Sequence, residues 1–223
     1  METPVAITVG SISLDGSLAM PAGLLAGGIV ICHPHPLYAG EMNNPVVTRV
    51  SAVCEAAQLA TLRFNFRGVG GSGGVYSDGE GEQEDVLSTL DFLQGKIGPN
   101  LPLGVAGYSF GAWVGSRVAQ RERRVRALAA IAPPLALRDF GFLRGPFQTT
   151  LLVAGSEDQY CPVDQLRALA ERVPGAEVRV IEEADHFWGR KLYPLGQAVL
   201  SWTRLWVGSA AFPGEAIGDG GSG

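Results

Sequence analysis

The chain predicts an α/β fold: a mostly parallel, doubly wound sheet of about seven or eight strands with an antiparallel N-terminal part, helices on both faces and no large cap domain. Three observations point there. Short, continuously apolar runs such as GIVIC and LLVAG read as strands covered on both faces. Longer stretches of helical period separate them. Five of these runs also end in a Gly-rich or polar loop, and in sheets of this kind ligands collect outside the carboxyl ends of the strands.

Val5 to Val9 and Leu14 to Met20 read as two short antiparallel strands, with Asp15-Gly16 supplying turn chemistry. Gly28 to Cys32 is the first fully apolar strand, followed by a helix over Val46 to Ala57 and a strand over Ala60 to Phe64. The succession continues with a helix at Gln83 to Leu93, a strand at Leu103 to Ala106, a helix at Phe110 to Gln120 and a strand at Val125 to Ile131. It closes with strand Thr150 to Ala154, helix Val163 to Arg172, strand Glu177 to Ile181 and a last helix around Leu195 to Trp206. One domain over residues 1–207 is expected, with residues 208–223 a Gly-rich tail lacking periodicity.

Charge excludes some functions. Seventeen Lys and Arg against 22 Asp and Glu leave a net charge of -5, the wrong sign for a nucleic-acid partner. No window is long and apolar enough for a membrane span, and the first residues lack the basic and apolar pattern of a secretory signal. The three cysteines show no CxxC spacing, so neither a disulfide framework nor a thiolate metal site is expected. The expectation is a soluble, cytoplasmic protein.

Gly107-Tyr108-Ser109-Phe110-Gly111 matches G-x-S-x-G between an apolar strand and a helical run. A serine on so sharp a turn presents its hydroxyl outward, and a Cβ at Gly107 or Gly111 would collide across the bend. Serine needs a base. The three histidines are His33, His35 and His186, all in loops at one edge of the sheet. His186, between the last strand and helix, is placed to reach Ser109, and imidazole suits a proton carrier near neutrality. Asp158 comes directly after the preceding strand and can orient His186 from behind. Glu157, Asp164 and Asp185 are poorer substitutes by direction or position.

The run His33-Pro34-His35-Pro36 comes after the first buried strand. Proline lacks an N-H, so only His35 or Leu37 can donate a main-chain hydrogen there. The expected oxyanion donors are the N-H groups of His35 and Phe110. A rival reading takes His33, His35 and His186 as metal ligands, but it leaves the serine turn unexplained. Arg67, among Gly68, Gly70, Gly71, Gly73 and Gly74, is expected to pin its loop by pairing with a carboxylate. The acids Glu80, Glu82, Glu84 and Asp85 are read as favourable charge at a helix start. Phe140, Phe142, Leu143 and Phe147, in the short segment Ala132 to Gln148, are candidates for an acyl-pocket wall, with Trp188 contributing. Cys32 beside His33 is read as inert packing.

With HPHPLYAG, NFRGVGGSGG, GYSFGAW, AGSEDQYCP and ADHFWGR in this order, the chain resembles a small serine hydrolase of the α/β-hydrolase superfamily. The nearest resemblance is to compact bacterial hydrolases related to dienelactone hydrolase-like and carboxylesterase-like proteins. The resemblance implies Ser109 as nucleophile, Asp158 as acid, His186 as base and donors at His35 and Phe110. Dienelactone hydrolases carry cysteine at the elbow; the serine here withholds their lactone activity from the expectation. The expected function is hydrolysis of small carboxylic esters through an acyl-enzyme, without metal or organic cofactor. A thioesterase, lactonase or peptidase using the same triad, a non-catalytic binding protein, and a metal-dependent hydrolase are the alternatives. A small-molecule ester is the expected partner, with no nucleic acid and no membrane; oligomeric state stays open.

Overall fold

The computed structural model describes residues 2–145 and 147–208; of the Gly-rich tail, all but Gly208 lies outside them. The strands are β1 (Glu2–Val9), β2 (Ile12–Ala19), β3 (Gly27–Cys32), β4 (Leu59–Phe64), β5 (Leu103–Tyr108), β6 (Val125–Ile131), β7 (Thr149–Gly155) and β8 (Ala176–Ile181). They form one eight-stranded sheet in the order β1-β2-β4-β3-β5-β6-β7-β8. Only β2 runs against its neighbours. The helices are α1 (Pro45–Ala56), α2 (Glu80–Ile97), α3 (Phe110–Arg121), α4 (Val163–Ala170) and α5 (Leu192–Val207).

Side chains alternate across a strand, so each buried strand feeds two cores. Ile29 and Ile31 of β3 join Val47, Val50, Val199 and Trp202 in the layer under α1 and α5. Val30 and Cys32 face the other way, toward Leu90, Val114 and Leu166 of α2, α3 and α4. Burial on both faces explains why these strands read as unbroken apolar runs.

The hairpin is tighter than its sequence suggests. Val9 pairs with Ile12, so Gly10-Ser11 makes the turn, and Asp15-Gly16 lies inside β2 opposite Ala6 and Val5. Gly10 supplies the positive φ (54°) that a two-residue hairpin needs. Asp15 instead ties down the glycine-rich loop after β4. Its N-H donates to Ser72 Oγ (2.9 Å) and its carboxylate accepts the Gly71 N-H (2.7 Å).

From β3 the chain moves to β4 on one side and then to β5 on the other, which makes the carboxyl ends of β3 and β5 the topological switch point. His33 joins the loops there. Its ring is fully buried, Nδ1-H donates to the Pro34 carbonyl (2.6 Å), and Nε2 accepts the Phe66 N-H (3.0 Å). Burial pushes its pKa down to about 4, since a charged ring would sit in the core without water. The unfolded ring takes up its proton near pH 6.5. Between those values the unfolded chain binds more protons, so this stability is complete above about pH 6.5 and is lost as the pH falls toward 4. Urea unfolding at pH 7 and pH 4.5 should show a loss on the order of 2–3 kcal/mol from this group, and His33→Gln should flatten that part of the pH dependence.

Candidate active site

The nucleophile sits where β5 meets α3. Ser109 has φ 55° and ψ -117°, a backbone region that non-glycine residues seldom enter. The bend is held by close backbone approach. A Cβ on Gly107 would fall on the Gly111 carbonyl, and one on Gly111 would fall on the carbonyls of Cys32 and His33. The Ser109 N-H donates to the Ile131 carbonyl of β6 (2.9 Å), fixing the turn from the other side.

Three loops converge on this serine. Ser109 Oγ lies 2.9 Å from His186 Nε2, and His186 Nδ1 lies 3.0 and 2.9 Å from the two Asp158 oxygens. With the carboxylate behind it, Nδ1 carries the proton and Nε2 is free to accept one from Ser109. Asp158 Oδ1 also accepts the N-H groups of Tyr160 and Cys161 at 2.9 Å each. It is therefore both a turn former ahead of Pro162 and the orienting acid. The acid and base loops are stitched together as well. The Glu157 N-H donates to the Ala184 carbonyl, and the Glu183 N-H to Ser156 Oγ, both at 2.9 Å. This is the triad geometry of a serine hydrolase. Of the substitutes considered for the acid, Glu157 is exposed, and Asp185 caps its own turn by accepting the Phe187 N-H.

Tyr108 carries a role that its sequence context does not announce. Its buried hydroxyl donates to the His186 carbonyl (2.8 Å), so the residue before the nucleophile anchors the base from beneath. The middle position of G-x-S was the available signal. Tyr160 meets the His186 ring edge-on, centroids 4.8 Å apart.

Arg67 takes the expected role, with Nε and Nη2 donating to the buried Asp85 carboxylate at 3.0 and 2.8 Å. The acids at the start of α2 do more than offset its dipole. Glu82 is fully buried and accepts the N-H groups of Ser77 (2.9 Å) and Gly79 (2.8 Å).

The aromatic candidates separate. Phe140 and Leu143 are buried in the α2/α3/α4 core, and Phe142 stacks on Phe140 with centroids 5.8 Å apart. Phe147 lines a 710 Å³ cavity with Gln120, Arg123 and Val125, at the amino end of β6 and away from Ser109. Trp188 is fully buried in the opposite core beside Leu195 and Trp202. It supports the His186 loop from below instead of facing substrate. Alternate residues of that loop turn inward and outward, so Trp188 is buried while Phe187 is exposed.

The rival ligand set does not converge. Both ring nitrogens of His33 are taken by backbone groups, and His35 Nδ1 accepts the Leu37 N-H (3.2 Å). Among the described residues no three His, Cys, Asp or Glu side chains are grouped to share a cation. Cys32, Cys54 and Cys161 are buried free thiols, and burial pushes each one's pKa up, which suppresses the thiolate. No described helix is long and apolar enough to cross a membrane.

Comparison with known proteins agrees with this geometry. The chain is 32% identical over 196 residues to the uncharacterized protein RP471 of Rickettsia prowazekii, covering 83% of this chain and 82% of that one. It superposes with a TM-score of 0.83 on an alpha-beta serine hydrolase homologue from Coxiella burnetii, at 33% identity over 89% of this chain and 96% of that one. XC6422 of Xanthomonas campestris, described as an a/b serine hydrolase without lid, gives a TM-score of 0.85 at 28% identity, over 92% and 94% of the two chains. The family model for X-Pro dipeptidyl-peptidase (S15 family) matches residues 59–204, a span holding Ser109, Asp158 and His186. By that match the chain belongs to the S15 family, within the α/β-hydrolase superfamily of serine hydrolases.

Proposed function

We propose that the protein hydrolyses small acyl compounds through an acyl-enzyme, with a peptide or amide bond as the preferred target and a simple carboxylic ester as the second. The observation behind the first choice is the S15 match, which spans all three triad residues. The ester reading keeps the sequence's likeness to carboxylesterase-like proteins and uses the same apparatus.

Ser109 Oγ attacks the carbonyl carbon as His186 Nε2 takes its proton, and Asp158 stabilises the imidazolium that forms. The leaving group decides how the tetrahedral intermediate collapses. An alcohol departs readily as its oxygen takes the proton from His186, whereas an amine must receive that proton before the C–N bond breaks. Water then enters and attacks as His186 removes its proton, and the bond to Ser109 breaks as His186 returns that proton to Oγ, releasing a carboxylic acid.

For the negative oxygen, Phe110 offers its N-H at the first position of α3, where the helix dipole favours negative charge. Of the two donors expected in the preceding loop, Leu37 spends its N-H on the His35 ring, which leaves the His35 N-H for the second place. One exposed ring borders the triad, Phe187, 68% exposed, against His186; a second, Tyr38, 82% exposed, lies against His35 in the loop after β3. They favour substrates with an apolar group near the reacting carbonyl.

Ser109→Ala should lower turnover by at least about three orders of magnitude without unfolding the protein, measured with far-ultraviolet circular dichroism beside the assay. Asp158→Asn should cost a comparable factor. Its amide nitrogen would face His186 Nδ1, move the proton to Nε2 and leave no lone pair for the serine. An aminoacyl-prolyl anilide and a series of nitrophenyl esters separate the two substrates. Ser109-dependent anilide cleavage supports the peptide reading, and turnover confined to esters transfers the assignment to the second. If neither is cleaved and a fluorophosphonate fails to label Ser109, hydrolysis is refuted.

A further inference from the structure

A polar chain that takes no part in the acyl transfer itself links the loop after β3 to the loop after β4. It starts at the Leu37 N-H, which donates to His35 Nδ1 (3.2 Å). A ring nitrogen that accepts from an amide carries no proton, so the proton of neutral His35 resides on Nε2. His35 Nε2 lies 3.1 Å from the Tyr76 hydroxyl, which donates onward to Asp78 Oδ1 (2.9 Å). Asp78 also receives Arg138 Nη2 (2.5 Å), and the Arg138 guanidinium lies 4.6 Å from the Trp113 ring centroid. Every donor and acceptor direction along the chain is thereby assigned.

The far end of this chain is built to stay still. Asp78 has φ 51°, which non-glycine residues rarely adopt, and Glu82 binds the N-H groups on either side of it, at Ser77 and Gly79. The near end touches the nucleophile's neighbour. The His35 ring lies 4.9 Å from the Phe110 ring and 5.1 Å from Tyr76, centroid to centroid. Burial holds the His35 pKa below its ordinary value, with the nearby Arg138 charge acting in the same direction. Burial and the bond to Asp78 push Tyr76 up to about 12, so the hydroxyl keeps its proton at neutral pH.

We propose that Tyr76 is a positioning residue that, from the other side of the ring to the Leu37 N-H, locks His35 in the Nε2-H tautomer and so holds the His35 main-chain N-H beside that of Phe110, ready for the oxyanion. The positioning role rests on the acyl-transfer reading; the tautomer does not. A hydroxyl-free ring at residue 76 keeps the packing but removes the acceptor for Nε2-H. The His35 ring can then turn, and the amide must be ordered at the moment charge appears.

The chain has only three histidines, so ring nitrogens are observable one by one in long-range proton–nitrogen spectra of labelled protein. His33→Gln and His35→Gln assign them. In the parent at pH 8, His33 and His186 should appear protonated at Nδ1 and His35 alone at Nε2. In Tyr76→Phe the His35 nitrogens should move toward the average of the two tautomers while the other two rings stay put. With equal melting temperature, kcat should fall about tenfold and KM should change by less than about twofold, since the donors act on the charged oxygen more than on bound substrate. An Nδ1-H proton on parent His35, unmoved nitrogens in the variant, or an unchanged kcat each overturns the proposal. A parent that turns over no substrate overturns the hydrolytic reading and the positioning role with it, while the tautomer is still read independently.

Discussion

Everything at the catalytic end depends on one place where backbone lies directly on backbone. Gly111, in the first turn of α3, rests against the carbonyls of Cys32 and His33 at the end of β3, and Gly107 of β5 rests against Gly111. No side chain fits into either contact. The strand, the helix and the loop after β3 are therefore nearer to one another than side-chain packing allows. That nearness forces Ser109 into φ 55° and lifts its hydroxyl out of the sheet. A conformation of this kind costs about 1–3 kcal/mol and persists only where its surroundings leave no alternative. Those surroundings are the two filled cores above and below β5.

Around that fixed point the loops hold one another by polar contacts more than by apolar ones. The acid loop binds the base loop through main-chain bonds at Glu157 and Glu183. Asp158 closes its own turn with the oxygen that also faces His186. Tyr108 secures the His186 carbonyl, and Arg67–Asp85 with Glu82 secures the glycine-rich segment between β4 and α2. Single carboxylates thus serve turn, loop and site together. A buried carboxylate with several N-H donors is satisfied where a lone one would be costly.

This sharing explains what could be read in the sequence. Strands buried on both faces announce themselves as apolar runs, and the triad is legible because each member is a chemically distinctive residue in the loop or turn that follows a strand. The turn at Gly10-Ser11 was less visible than Asp15-Gly16, since Asp-Gly is the stronger turn signal; the structure spends that aspartate on the loop at Gly71. For Phe147 and Trp188 the chain offers only nearness to the site, and which side of a loop faces inward is set by tertiary packing. The acids at the start of α2 had an adequate local account as helix charges. Nothing local revealed that Asp85 pairs with Arg67 across 18 positions. Tyr76 lies outside any motif, and its part follows from the position of its hydroxyl between His35 and Asp78.

The three histidines show how surroundings, not residue type, assign chemical work. His33 has both nitrogens bound by backbone and lies in the core, so it is neutral and immobile. His35 faces a donor on one nitrogen and a hydroxyl on the other, which fixes the opposite tautomer. His186 alone has a carboxylate behind one nitrogen and a hydroxyl group that can lose a proton before the other. Only that arrangement puts a carboxylate where it faces the imidazolium formed as the serine gives up its proton. The HPHP run and the distant His186 are thus complementary. Two neutral rings stiffen the frame into which charge will be placed, and the third moves the proton that creates it.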